Sequence, residues 1–289
     1  MGRGSSTPSL RSVRSNGSSI SAASRATSGT SKSSQQMGPR FIDDHYPLIT
    51  TIHPETVPAS VPKSHSALWC ARQMAQIHNT IIRALNASWN HAISVQPCTR
   101  EAGDFLFFNQ QLCKTIVRHH HVEDEYLFPE VDKLQGQPGG TQGNRKDHES
   151  FAAGLAVFQK YVFITKSSEF CGLTVRHIIE SFAPSFIQHL HDEIPTLVNL
   201  HVLDSAALMK TWKHANHLAT KDAELYNDGP WLLGCQDNAF TIDGIKNDFP
   251  GGFWVTGAVI RTWHARKHAG AWKFCPSDLS GRRRQLAVV

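Results

Sequence analysis

The chain has 289 residues, of which 40% are hydrophobic, and it carries a formal net charge of +5, so it is long and apolar enough to bury a sizeable core. Six Lys or Arg and no Asp or Glu lie within residues 1–40. The rest of the chain is therefore close to neutral, and we expect no nucleic-acid partner. No apolar run reaches the roughly 18–20 residues of a membrane span. Six cysteines without a C-x-x-C pair argue against a zinc ribbon or a disulfide framework and favour a reducing compartment.

Residues 1–40 contain 13 serines and scattered arginines, a composition that predicts a disordered tail. Two alternatives stay open for this tail. Its basic, acid-free composition is typical of a mitochondrial transit peptide, and Met1-Gly2-x-x-x-Ser6 fits the minimal pattern for N-myristoylation. Proline-containing residues up to 63 are expected to form an extended lead-in. We therefore expect an intracellular, cytoplasmic protein, with mitochondrial import or lipid anchoring as the alternatives.

The first predicted helix runs from about residue 64 to residue 93, because apolar side chains recur there every three or four positions. His78 lies inside this apolar stripe. A second helix starts near residue 99, and its stripe leads directly into His119 and Glu123. Ligand-type side chains therefore stand where leucine would be expected. Pro129 is expected to bend or end this helix.

Two further long helices follow a glycine-rich loop. The third is predicted over residues 145–165 and the fourth over residues 173–200, and a shorter helix is expected over residues 204–223. Together these patterns predict an all-α fold, with a four-helix bundle over residues 64–200.

Residues 201–289 are predicted to form a C-terminal helix followed by an irregular, tryptophan-rich extension packed on the bundle. Five of the seven tryptophans lie from residue 212 onward. The simplest interpretation is aromatic packing that covers the bundle. The alternatives are a surface that binds a protein partner and a patch that touches a membrane.

The pattern His-x-x-x-Glu occurs twice on the predicted helices, and residues four apart share one helix face. Each pair is preceded by an isolated histidine 41 residues before its own histidine. This repetition indicates a pseudo-twofold bundle around a central metal pair. The six candidate ligands are His78, His119, Glu123, His148, His189 and Glu193.

Each of these patterns also has a simpler explanation. An isolated histidine on an apolar face is usually a satisfied core residue, and His-x-x-x-Glu can be a helical salt bridge. Their repetition in the same order and spacing favours a metal site. Imidazoles and carboxylates without thiolates suit iron, manganese or zinc. Five nearby residues are expected to face solvent or to support the ligands: His120, His121, Asp124, His191 and Asp192.

The motifs around these residues resemble the hemerythrin-like (HHE cation-binding) domain. They are IHNTIIRALN, HHHVEDEYLFP, KDHESF and FIQHLHDEI. The resemblance covers residues 64–200 and implies an up-down-up-down four-helix bundle around a non-haem di-iron centre. It assigns the four histidines as terminal ligands and the two glutamates as bridges. Oxygen-carrying members have a second histidine on the third helix, four residues from the first, whereas here Ala152 and Asn144 occupy those positions.

Two functional classes follow from this resemblance. The first is a non-catalytic protein that binds two iron ions, and dioxygen or a related small ligand, for sensing, storage or protection. The alternative is a di-iron enzyme that acts on peroxide, nitric oxide or dioxygen. A third interpretation is an adaptor that binds a protein partner through the C-terminal extension. No motif in the sequence decides between them.

Overall fold

A computed structural model describes residues 41–136, 139–237, 239–246 and 254–286 of the chain. The signals predicted within residues 1–40 lie outside these ranges. The described residues are mostly helical. The helices and strands are α1 Ser66–His91, α2 Arg100–Val122, α3 Phe128–Gln135, α4 Gln142–Ile164, α5 Gly172–Asn199, α6 Ser205–Thr220, α7 Asp228–Cys235, β1 Thr241–Ile242, β2 Ile245–Lys246 and α8 Trp254–Thr262.

Capping side chains fix the starts of the first two long helices. The His65 side chain accepts a hydrogen bond from the Ala67 N–H at the start of α1. At the start of α2, Thr99 Oγ1 accepts one from the Ala102 N–H at 3.1 Å. These bonds satisfy backbone donors that have no partner within the helix. Both helices begin within two residues of their predicted starts.

Neighbouring long helices run antiparallel, as the order of their contacts shows. Ser88 of α1 bonds Asn109 of α2, whereas His78, earlier in α1, meets His119, later in α2. The same inverse order holds between α2 and α4, between α4 and α5, and between α5 and α1. Gln110 and His120 of α2 meet Val162 and His148 of α4, respectively. Phe158 and His148 of α4 meet Phe182 and His189 of α5. Glu180 and Leu190 of α5 meet Trp89 and His78 of α1.

Aromatic side chains form the core between these helices. Six phenylalanines are almost wholly buried in one cluster: Phe105, Phe108, Phe151, Phe158, Phe182 and Phe186. Gly154 lets α4 approach α5 closely, since a Cβ atom there would lie 2.6 Å from the Cβ of Phe182. Burial of such rings is a main source of stability for a bundle of this size.

The second predicted helix continues beyond Pro129, contrary to a simple helix end. A π-helical turn, Glu123–Leu127, joins α2 to α3, and the Phe128 N–H donates to the Glu123 carbonyl five residues back. Pro129 then lies in the first turn of α3, where a missing N–H costs little. The π turn is thus the local distortion that accommodates the proline, and it begins at a candidate ligand.

The C-terminal extension is more regular than predicted, because α7 and α8 follow α6 within it. Trp231, Trp272 and Phe274 are buried in the same hydrophobic cluster as the phenylalanines of α2 and α5. These contacts make the extension a layer over the bundle. In the parts of the chain that the structure describes, no helix is both long and apolar enough to cross a bilayer.

A buried ion network ties both ends of the described chain to α1. Arg83 is fully buried, and its guanidinium donates to Asp43 at 2.6 Å, to the Cys235 carbonyl and to Ser277. Asp43 also accepts from Arg283 at 2.6 Å. A buried guanidinium needs such partners, since it cannot lose its charge.

Candidate metal centre

The structure brings all six predicted ligands together at the middle of the helix bundle. Their ligand-type atoms fall into two groups, each with atoms within 4.8 Å of one another. The first group contains His78, His119, Glu123 and Glu193, and the second contains His120, His148, His189 and again Glu123. Glu123 is therefore shared between the groups.

The first group is compact. The Nε2 atoms of His78 and His119 lie 3.0 Å apart. Glu123 Oε1 lies 3.1 Å from His119 Nε2, and Glu193 Oε2 lies 3.4 Å from His78 Nε2. Two imidazole nitrogens and two carboxylate oxygens thus point at one small volume, which is the donor set of a cation site without thiolates.

The second group faces the first across the two glutamates. His148 Nε2 and His189 Nε2 lie 3.1 Å apart, and Glu123 Oε2 lies 3.8 Å from His148 Nε2. Glu193 Oε2 is 3.9 Å from His189 Nε2. The two oxygens of Glu123 therefore approach different histidines, and Glu193 lies near both groups.

Hydrogen bonds on the outer ring nitrogens orient two of these imidazoles. His78 Nδ1–H donates to the Leu190 carbonyl at 2.7 Å, and His148 Nδ1–H donates to Asp124 Oδ1 at 3.0 Å. The proton on Nδ1 leaves a lone pair on Nε2, which faces the cluster. This second layer of contacts is typical of histidines that bind metals.

Burial disfavours protonation of two of these imidazoles and ionisation of the two carboxyl groups. It lowers the pKa values of His78 and His189 to about 3. It raises the pKa of Glu193 to about 7 and also raises that of Glu123, whose pKa is increased further by the Glu193 charge. All four carboxylate oxygens lack a hydrogen-bond donor among the described residues. Such orphaned oxygens are costly in a dry core, and bound cations would satisfy them.

Comparison with known proteins agrees with this geometry. A sequence model of the hemerythrin HHE cation-binding domain matches residues 71–199. A curated relative, the dimeric xanthone biosynthesis cluster protein R11 of Cryptosporiopsis sp. (strain 8999), is 33% identical over 248 residues, which cover 84% of this chain and 91% of that protein. This chain belongs to the hemerythrin HHE cation-binding family. No solved structure matched the chain significantly.

His120 is the site residue of this HHE domain that the sequence analysis did not identify as a ligand. Its side chain is buried, its ring centroid lies 4.4 Å from that of His148, and its Nε2 has no partner within the described chain. His121, beside it, is exposed. The available signal was spacing, because His120 follows buried Ile116 by four positions. The second group has one histidine from α4, His148, and His120 adds an imidazole to this group from α2.

The other residues expected to support the HHE centre divide into two sets. Asp124 bonds His148, as a supporting residue should. Asp192 accepts from Gln188 Nε2, and His191 Nε2 lies 3.2 Å from the Pro47 carbonyl. Of these three residues, only Asp124 contacts a candidate ligand through a hydrogen bond described here.

A cavity of about 670 Å³ reaches the HHE centre from outside. It lies between α1, α2, α6 and α7, and its lining is mostly apolar. His119 and Glu123 belong to this lining. The first group of ligand atoms is therefore adjacent to a space large enough for an organic molecule.

Proposed function

We propose that this protein binds two non-haem iron ions within an up-down-up-down bundle of the hemerythrin type, over residues 64–200. The observation that carries the proposal is the position of Glu123. Its carboxylate belongs to both groups of ligand atoms, and neither oxygen has a hydrogen-bond donor in the described chain. A carboxylate shared in this way suits a bridge between two cations.

The donor groups divide between two ions as follows. His78 and His119 would hold one ion, and His120, His148 and His189 would hold the other. Glu123 would bridge them, with Glu193 as the second bridge, because Glu193 Oε2 lies 3.4 Å from His78 and 3.9 Å from His189. Nitrogen and oxygen donors without thiolates support iron, with manganese and zinc as alternatives.

A bound iron pair would supply affinity for dioxygen and redox chemistry. The residues of the chain orient the ligands and bury them. Leu190 and Asp124 hold two imidazoles in the tautomer that presents Nε2. Burial keeps the His78 ring neutral and leaves Glu123 and Glu193 almost without contact with water. These properties support binding of dioxygen or a related small ligand for sensing, storage or protection.

A second candidate function is an enzyme that acts on dioxygen, peroxide or nitric oxide. The cavity beside His119 and Glu123 favours it, because a binding protein for a diatomic ligand has no need of so large a space. The name of the curated relative associates that protein with a biosynthetic gene cluster, which supports the same candidate. Peroxide turnover by the iron-loaded protein, compared with His119→Ala, tests it: equal turnover contradicts catalysis at this centre.

Metal analysis of matched histidine variants tests the two-ion proposal. We expect about two iron ions per chain in the wild type, since each group has its own imidazoles. His120→Ala should lower the affinity for one ion and leave the other in place. His121→Ala changes the exposed neighbour and is the control. Equal affinities for both iron ions in the two variants and the wild type, measured by titration to saturation, would contradict the role of His120.

A further inference from the structure

The cavity beside the proposed metal centre is lined by aromatic side chains. Trp69 of α1, Trp212 of α6 and Trp231 of α7 contribute three indole rings to its lining. The rings of Trp69 and Trp212 meet edge to face, with centroids 6.3 Å apart. Flat aromatic molecules pack well against such walls, because stacked and edge-to-face contacts both add to the burial of apolar area.

Polar groups lie at fixed points on this aromatic lining. Trp231 is 1% exposed, and its indole N–H has no acceptor among the described residues. Arg118 also lines the cavity, and its two hydrogen bonds to described residues are long: 3.5 Å to the Ala219 carbonyl and 3.4 Å to Asp228. A guanidinium has five N–H donors. The Arg118 guanidinium therefore offers donors to a ligand that carries oxygen atoms, whereas the buried Trp231 N–H is not accessible from the cavity.

The size of the cavity indicates how large that ligand is. A volume of about 670 Å³ lies within the range of roughly 300–1,000 Å³ of pockets that bind organic molecules. A water molecule occupies only about 30 Å³ of liquid, and a diatomic gas is of similar size. Several fused rings are needed to fill the space.

We propose that the cavity binds a flat, polycyclic aromatic molecule that carries phenol, carbonyl or carboxylate oxygens. The indoles of Trp69 and Trp212 contact its ring faces and edges, and Arg118 donates to its oxygens. One edge of the ligand lies beside His119 and Glu123. The proposal rests on the proposed metal centre only for the environment of that edge, and it names the substrate class of the same site.

Binding of 1,8-dihydroxyanthraquinone to the full chain tests this inference, with calorimetry and quenching of tryptophan emission as the measurements. Ala219→Phe places a ring in the cavity from α6 and should weaken binding about tenfold or more, because the pocket is already shaped. Ala206→Phe, at an exposed position of the same helix, is its control. Arg118→Gln should weaken binding about tenfold, the loss expected for one charge-assisted hydrogen bond. Arg100→Gln, on exposed α2 surface, should have no effect.

The outcomes separate the ligand from the metal. Probe binding that is lost in Ala219→Phe and kept in Ala206→Phe supports the inference, with or without iron. A shift of the iron absorption spectrum by the probe supports its position beside His119. Absence of binding to the full chain overturns the inference, including the case in which another segment of the chain fills the cavity. If the chain binds iron but not the probe, the proposed ligand is refuted and the metal proposal is not. If the chain binds the probe but cannot bind iron, the metal proposal is refuted and the proposed ligand is not.

Discussion

Replacement of Glu123 by alanine is the most direct test of the paired metal centre. Its oxygens lie 3.1 Å from His119 Nε2 and 3.8 Å from His148 Nε2, so one side chain reaches both groups. The substitution removes one donor from each proposed ion and one negative charge from between them. A ligand that served a single ion would affect that ion alone.

The size of the effect follows from the repulsion between the ions. Two dications about 3.5 Å apart repel by roughly 19 kcal/mol at an effective dielectric constant near 20. Bridging anions offset this repulsion. With only Glu193 left, the second ion should bind far more weakly than the first, and we expect at most one iron per chain.

Iron content and affinity from titration to saturation, together with the optical spectrum, measure the outcome. Glu130→Ala is the matched control, because Glu130 lies seven residues later and pairs with Lys133 on the surface. The control should keep the wild-type iron content. Two irons per chain at wild-type affinity in Glu123→Ala would refute the bridging role.

Three further outcomes are expected. Chelation should lower the melting temperature more at neutral than at acidic pH, where protonated ligands bind metal poorly; an unchanged melting curve contradicts this. Metal-free protein should lose stability below pH 6.5 in denaturant titrations, because the unfolded chain takes up protons first. His78 and His189, with pKa values of about 3, each contribute a loss of about 2 kcal/mol by pH 5. The raised pKa values of Glu193 and Glu123 oppose this loss, for Glu193 from pH 7 downward, but the lowered pKa values of His119 and His120 add to it. Asp124→Asn should weaken iron binding about 10–100-fold, whereas Asp192→Asn should not.

The sequence predicted the long helices and the meeting of the six candidate ligands because both depend on periodicity. Side chains four apart share a helix face, and the repeated interval of 41 residues brings equivalent levels of two helix pairs together. Periodicity identifies which residues share a helix face, but it does not show how deeply each of them is buried. His120 is adjacent to His119 in sequence, and only the packing of α4 and α5 against α2 shows that the His120 ring is buried while His119 is partly exposed.

Features that depend on several segments at once could not be read from local patterns. The cavity exists because α6 and α7 cover α1 and α2 without filling the space beside Trp69. The π turn arises where Pro129 meets a helix that packing against neighbours keeps intact. Local propensity alone predicts a helix end there. Tertiary contacts override it, and the turn changes the direction in which residues after Glu123 point.

The buried ion network around Arg83 makes the order of chain synthesis matter. Arg83 lies in the first long helix, whereas its partners include the carbonyl of Cys235 and the hydroxyl of Ser277. During translation the bundle residues emerge well before these partners. Until then the guanidinium has only Asp43 to neutralise it, and burial of a poorly satisfied charge costs several kcal/mol. The first helix therefore reaches its final environment only after residues as far as Ser277 have been made, and a nascent chain released before that point would keep the helix partly solvated.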